Sequence, residues 1–465
     1  MADDRPSPTD AAAANEVRVR RRSIGPLLAA VVASVLVIAA CSNGGGDAAV
    51  DGAGSAEADA EPDSDTDTSD RDTSDRGTSD EASSEAQPAP SLGDSEGGIP
   101  DPNFDYDAVD YEAEPVDNAL LGNRSNPLFP PPVIEPTLIR SGGVPPDGIP
   151  PIDDPRFVPV ADADFVGDEE AVISVAVGGE ARAYPIQILI WHEIVNDEFG
   201  DVPVTVTYCP LCNSALAFDR RVGSRTLDFG TSGELYQSAL VMYDRQTGSL
   251  WAHFTGQGLV GHYAGAELAF VPAQTISFAQ FRDAHPGGLV LTRETGASRP
   301  YGQNPYPGYD FEGSDPIGAF FNGEIDRTLL AKARIVGVND DAGSVAVRLE
   351  DLAAQPVIPI TASGRNLVVF HRSGLASALE SGEVDGGRDI GQTGVFEAEA
   401  ADGTALTFTA DGDDFVDDQT GSTWNVVGQA FDGPLAGESL TAVTHLDTFW
   451  FAWASYRPDT TVIQP

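Results

Sequence analysis

The sequence predicts an α+β fold, β-rich, built from two tandem homologous repeats of short strands and hairpins with a few short helices. Three observations carry that prediction. Short apolar and β-branched runs alternate with turns bearing Gly, Asp and Thr, while helix-length apolar periodicity is scarce. The segment DRQTGSLW at Asp244–Trp251 returns as DDQTGSTW at Asp417–Trp424. Beyond each copy a Gly-rich stretch closes on a leucine. The spacing from Leu268 to Pro286 equals that from Leu440 to Pro458, so Phe278 and Phe281 fall on Trp450 and Trp453.

The chain opens on a different kind of segment. Arg18, Arg20, Arg21 and Arg22 precede an apolar run from Ile24 to Ala40 that ends on small residues before Cys41. Charged flank, short apolar region and small residues make residues 1–41 a secretory signal. A cysteine at the cut point resembles the bacterial lipobox, with Cys41 as the lipidated first residue of the mature protein. The run is short for a membrane span, which needs about 20 residues; an uncleaved anchor helix is the alternative. Either way the folded part is expected outside the cytoplasm, and acylation at Cys41 would hold it to the membrane. Residues 42–125 form an acidic tether, with 23 acids and 2 arginines between Asp47 and Asp117, too polar to bury a core. With 26 basic against 73 acidic residues and a net charge of −47, nucleic acid is excluded as a partner. An unidentified protein or small-molecule substrate remains.

The first repeat is assigned to residues 126–300, with Pro- and Gly-rich coil before Phe157. Ala171–Val177 and Glu180–Tyr184 flank Gly178-Gly179 and read as a hairpin. Pro185 suits the first turn of a helix whose apolar residues run Ile186, Leu189, Ile190 and Val195, ending at Asn196 and Asp197. Val202–Tyr208 alternates as a strand, and CPLC (Cys209–Cys212) sits where it runs out. Further strands follow at Ala215–Asp219, Thr226–Phe229, Ala239–Tyr243 and Leu250-Trp251. Ser277–His285 reads as a helix with Ser277 as N-cap. Residues 301–332 are a connecting loop. In it YGQNPYPGY (Tyr301–Tyr309) is either an aromatic lid or a Pro-ordered loop.

Residues 333–465 form the second repeat. Each Asp-Gln-Thr-Gly-Ser-X-Trp segment is expected to be a hairpin in which Gly supplies positive φ, Asp and Thr bond the turn, and Trp packs inward. Residues shared by both copies serve structure; those that differ are the functional clue. CPLC occurs only in the first copy. The register places His371 opposite Cys209 and Gln355 near the position of His192.

AYPIQILIWHEIVND, TYCPLCNSALAFDRR, SALVMYDRQTGSLW and the closing FWFAW together resemble the bacterial and archaeal family called domain of unknown function 3179, over nearly all of residues 148–465. Its members are commonly secreted or lipid-anchored, in keeping with the leader. The resemblance implies no established activity, so no catalytic residue is carried over.

Three chemistries compete for Cys209 and Cys212. Two thiolates at this spacing can chelate a soft metal, copper first and zinc next, with His192 or His371 completing the site. An extracytoplasmic thiol pair can instead form a redox-active disulfide, or a purely structural one. Metal binding is the leading expectation; a thiol–disulfide oxidoreductase and a non-catalytic envelope scaffold are the alternatives. His445 is assigned to the core, and His253, His262 and His285 to the surface. No GxSxG, Walker or HExxH signature is present.

Overall fold

The computed structural model describes residues 124, 129–339, 343–362 and 364–464. The leader, Cys41 and nearly all of the acidic segment lie outside them. Strands dominate and the helices are short, as the turn-rich sequence predicts.

Two sheets carry the same pairing order. In the first half, Ala273–Ser277 pairs antiparallel with Ala171–Val177, that strand with Glu180–Pro185, and that in turn runs parallel to Leu289–Leu291. In the second half, Leu446–Phe449, Arg334–Val338, Val345–Arg348 and Thr461–Ile463 pair in the same order and senses. A second correspondence joins Ile194–Phe199, Val202–Cys209 and Ser214–Asp219 to Val357–Ala362, Arg365–Arg372 and Gln392–Glu397. Counting from the two hairpin turns, Val202 matches Arg365, so His371 falls at the position of Tyr208 and Arg372 at that of Cys209. The sequence register for His371 was therefore one residue out, which in a strand places it on the opposite face. Gln355 does match His192 on this count.

The repeated octapeptides are hairpins of the expected kind. Asp244 accepts from the Thr247 amide at 2.6 Å and from Trp251 Nε1 at 2.9 Å; Asp417 accepts from the Thr420 amide at 2.6 Å and from Trp424 Nε1 at 3.0 Å. Gly248 and Gly421 take the positive φ, and both tryptophans are fully buried. The shared residues thus build a turn and anchor it to the core.

Helix boundaries follow their caps. Ser277 accepts from the Gln280 amide and starts Phe278–Ala284. The first helix is shorter than expected. It spans Ile186–His192 and stops at Glu193, whose φ of 59° directs the chain into the strand Ile194–Phe199. Val195 was assigned to the helix on apolar spacing, but cross-strand pairing with Val206 decides its state. The main core draws on both halves: Tyr184, Leu189, Cys212 and Trp251 share it with Ile335, Phe449 and Trp453. Among the described residues no helix is long and apolar enough to cross a membrane.

Candidate functional site

CPLC is the loop of a β-hairpin. Cys209 ends one strand, Ser214 opens the next, and the two are register partners. Asn213, at φ 52°, closes the turn. Both cysteines are free thiols and almost fully buried, Cys209 at 1% exposed and Cys212 at 0%.

The two sulfurs have unlike surroundings. Burial would push the Cys209 thiol up, but the Cys212 side chain and the amides of Cys212, Leu240 and Leu211 outweigh it and hold Cys209 below the ordinary thiol range. Burial and the neighbouring Cys209 push Cys212 well above that range. Such an arrangement makes Cys209 the more acidic thiol of the pair.

A hydrogen-bond chain leads away from Cys212. Its sulfur lies 3.0 Å from Ser214 Oγ, which lies 2.7 Å from His253 Nε2; His253 Nδ1 lies 2.8 Å from Thr207 Oγ1. Donor directions follow from the far end. Thr207 donates its proton to the Leu216 carbonyl at 3.2 Å, so it accepts from His253 Nδ1–H. Nε2 is then the acceptor for Ser214 O–H, and Ser214 Oγ is left to accept from Cys212. Burial lowers the His253 pKa to about 3, so the imidazole is neutral and orients Ser214. His253 was expected at the surface and is wholly buried; His262 is buried too, at 1% exposed, and His285 is half-buried. The polarity of short strands such as Leu250–Ala252 is hidden from periodicity, which is why the sequence misplaced His253.

Backbone strain gathers around the sulfurs. Five residues other than Gly have positive φ among those described, and four of them are Glu193, Asn213, Gln237 and Ser238. The Glu193 carbonyl accepts from the Tyr208 amide, which seats Glu193 beside the Cys209 strand end. Burial, and then the charge of Cys209, raise its carboxyl well above the usual carboxylate range. Gln237 and Ser238 form a buried hairpin turn whose Ser238 carbonyl is 3.9 Å from Cys209 Sγ. Over the other side lies the loop from Tyr301 to Asp310: Tyr309 donates to the Leu211 carbonyl at 3.0 Å, and burial raises the phenols of Tyr306 and Tyr309.

The expected metal ligands are not brought together. His192 is committed elsewhere: Nδ1 meets the Pro150 carbonyl at 2.6 Å and Nε2 the Tyr301 hydroxyl at 2.7 Å. His371 lines a separate cleft, with Nε2 against Gly391. His445 is buried and bonds the Val443 carbonyl, in keeping with its assignment to the core. Among the described residues no group of three or more His, Cys, Asp and Glu side chains is placed to hold a metal ion.

In the second half the matching positions are apolar. Strand pairing sets Phe370 opposite the place of Thr207, and Val426, two residues after Trp424, matches His253; both belong to one hydrophobic cluster. The chain from Cys212 to Thr207 is therefore peculiar to the first half.

Comparisons with curated proteins and with solved structures found no match. The family model described as "Protein of unknown function (DUF3179)" does match, over residues 146–460, and the chain belongs to that family.

Proposed function

We propose that the CPLC turn is a thiol–disulfide exchange centre, with Cys209 the attacking thiol and Cys212 the resolving one. The observation that supports this most is the asymmetry of the pair: Cys212 heads a polar chain through Ser214 and His253 into the core, while Cys209 Sγ faces the Ser238 carbonyl at 3.9 Å. In the exchange, the Cys209 thiolate attacks one sulfur of a partner disulfide. A mixed disulfide forms and the partner's other sulfur leaves as a thiolate. Cys212 then attacks Cys209 Sγ, forming the intramolecular disulfide and releasing the second partner thiolate. Two electrons pass from the cysteine pair to the partner, whose thiolates take up the protons. Glu193, whose carboxyl burial beside Cys209 raises, is the acid placed to supply one. Because both sulfurs are buried, exchange requires the Tyr301–Asp310 loop to lift, breaking the bond from Tyr309 to Leu211.

The leader supports a location outside the cytoplasm on a lipid anchor at Cys41, and the matched strand orders fit descent from a duplicated unit. Labelled palmitate incorporated into the wild type and lost in Cys41→Ser would support the anchor. For the exchange itself, the test is trapping with hydroxyethyl disulfide. Cys212→Ser should accumulate a mixed disulfide on Cys209, and Cys209→Ser should accumulate none. Equal trapping at both positions, or none in either variant, would sink the reading. A soft metal retained at about one per chain through both thiols would favour metal binding instead.

A further inference from the structure

A chain carrying 73 acids and 26 basic residues gathers four arginines into one cleft. The cleft has a volume of about 620 Å³ and is walled by Arg327, Arg334, Arg348 and Arg388, with His371 and Ser373 at the strand end. Three acids line it as well, but they are engaged or solvated. Asp389 accepts from the amides of Gly374, Leu375 and Gly391, and the Glu350 side chain is 84% exposed. Glu312 sits at the cleft as an exposed residue.

On its floor two arginines share one acid. Arg334 and Arg388 converge on a single carboxylate, with Asp310 Oδ2 3.0 Å from each, and that carboxylate is only 1% exposed. Arg388 also pairs with the half-exposed Glu380 at 3.1 Å, so Asp310 is shared and Arg334 has no acid of its own among the described residues. Two polar atoms at this floor also have no partner: Arg334 Nε and His371 Nε2, on residues 8% and 7% exposed. Buried polar atoms without partners cost stability unless a ligand meets them. Guanidinium groups match carboxylate and phosphate oxygens in geometry and charge.

We propose that this cleft binds a small organic molecule through a carboxylate or phosphate group seated between Arg334 and Arg388. It stands apart from the exchange reading. A separate narrow space shares Arg334, Leu349 and Gly391 with the cleft and is lined also by Tyr208 and Asn213, on either side of CPLC.

Calorimetric titration of the full chain with suberate and with glycerol phosphate tests it. At least one probe should bind, more weakly at high salt. Binding should weaken roughly ten-fold or more in Arg388→Gln, the loss of charged hydrogen bonds to an oxyanion. Binding of suberate alone assigns a carboxylate ligand, and of glycerol phosphate alone a phosphate. Arg388 is 38% exposed on its side chain, so the variant should fold; Arg348→Gln, at a surface pair, provides a second wall variant expected to weaken binding. Cys209→Ser should leave the titration unchanged, which separates this test from the exchange reading. Neither probe binding, or affinity indifferent to both arginine variants, overturns the proposal.

Discussion

Replacing Ser238 by Gly should stabilise the protein, against the usual direction of a buried substitution. Ser238 sits at φ 63° and its hydroxyl is buried without a partner. Left-handed backbone costs a residue with a Cβ about 1–2 kcal/mol. An unsatisfied buried hydroxyl costs about 1–3 kcal/mol more. Against these stand the greater freedom of glycine in the unfolded chain, about 0.5–1 kcal/mol, and the loss of one buried methylene, about 0.8 kcal/mol. The balance favours Ser238→Gly by about 2 kcal/mol. Urea unfolding followed by tryptophan fluorescence measures it, since Trp251 and Trp424 are both buried. The amide of Ser238, which donates to the Phe320 carbonyl at 3.0 Å, is untouched by the change. A loss of about 1 kcal/mol or more would refute the reasoning, because it would mean that the hydroxyl has an acceptor. The strain has a function if it holds the Ser238 carbonyl near Cys209; the stabilised variant should then exchange more slowly.

Two further outcomes concern pH. His253 is depressed from 6.5 to about 3 by burial, so its contribution is present above pH 6.5 and is lost as pH falls toward 3. Acid unfolding of the wild type should be steeper in that window than unfolding of His253→Phe, by roughly 4–5 kcal/mol in total. Equal pH profiles would refute the neutral buried imidazole. Glu170 behaves in the opposite sense: burial raises it from 4.5 to about 7, so the stability it contributes is present below pH 4.5 and is lost as pH rises through 7. Relative to the wild type, Glu170→Gln should therefore gain roughly 3 kcal/mol between these limits, read by urea unfolding across the range.

Much of the scaffold was legible because it rests on local chemistry. Gly178-Gly179, the Ser277 cap and the Asp-Gln-Thr-Gly-Ser turns each specify their conformation within a few residues, and each forms as expected. The end of the first helix was not legible. Helix and strand both tolerate Ile194 and Val195, and pairing with Val202–Cys209 decides between them. Cys209 and Cys212 stood out by residue type, yet what surrounds them did not. Ser238 reaches Cys209, and His253 reaches Cys212 through Ser214, across gaps that no short motif spans. Tyr309 reaches them by a loop closing over the top. His192 misled because a histidine on an apolar helix carries no mark of its partner; here Tyr301 and Pro150 take both ring nitrogens.

The comparison of the two halves bears hardest on function. Where the second half places Phe370 and Val426 in hydrocarbon, the first places Thr207 and His253, joined to Ser214 and Cys212. Where the second turns at Gly412-Asp413 on the surface, with Gly taking the positive φ, the first turns at buried Gln237-Ser238 and strains both residues. A purely structural thiol pair needs neither feature, since apolar packing and a glycine turn would hold the same hairpins at lower cost. A fold that accepts a buried imidazole, a buried acid at Glu193 and four strained backbones around one pair of sulfurs is maintaining an environment for those sulfurs. That concentration, more than the CxxC spacing, is what supports the proposal of chemistry at CPLC.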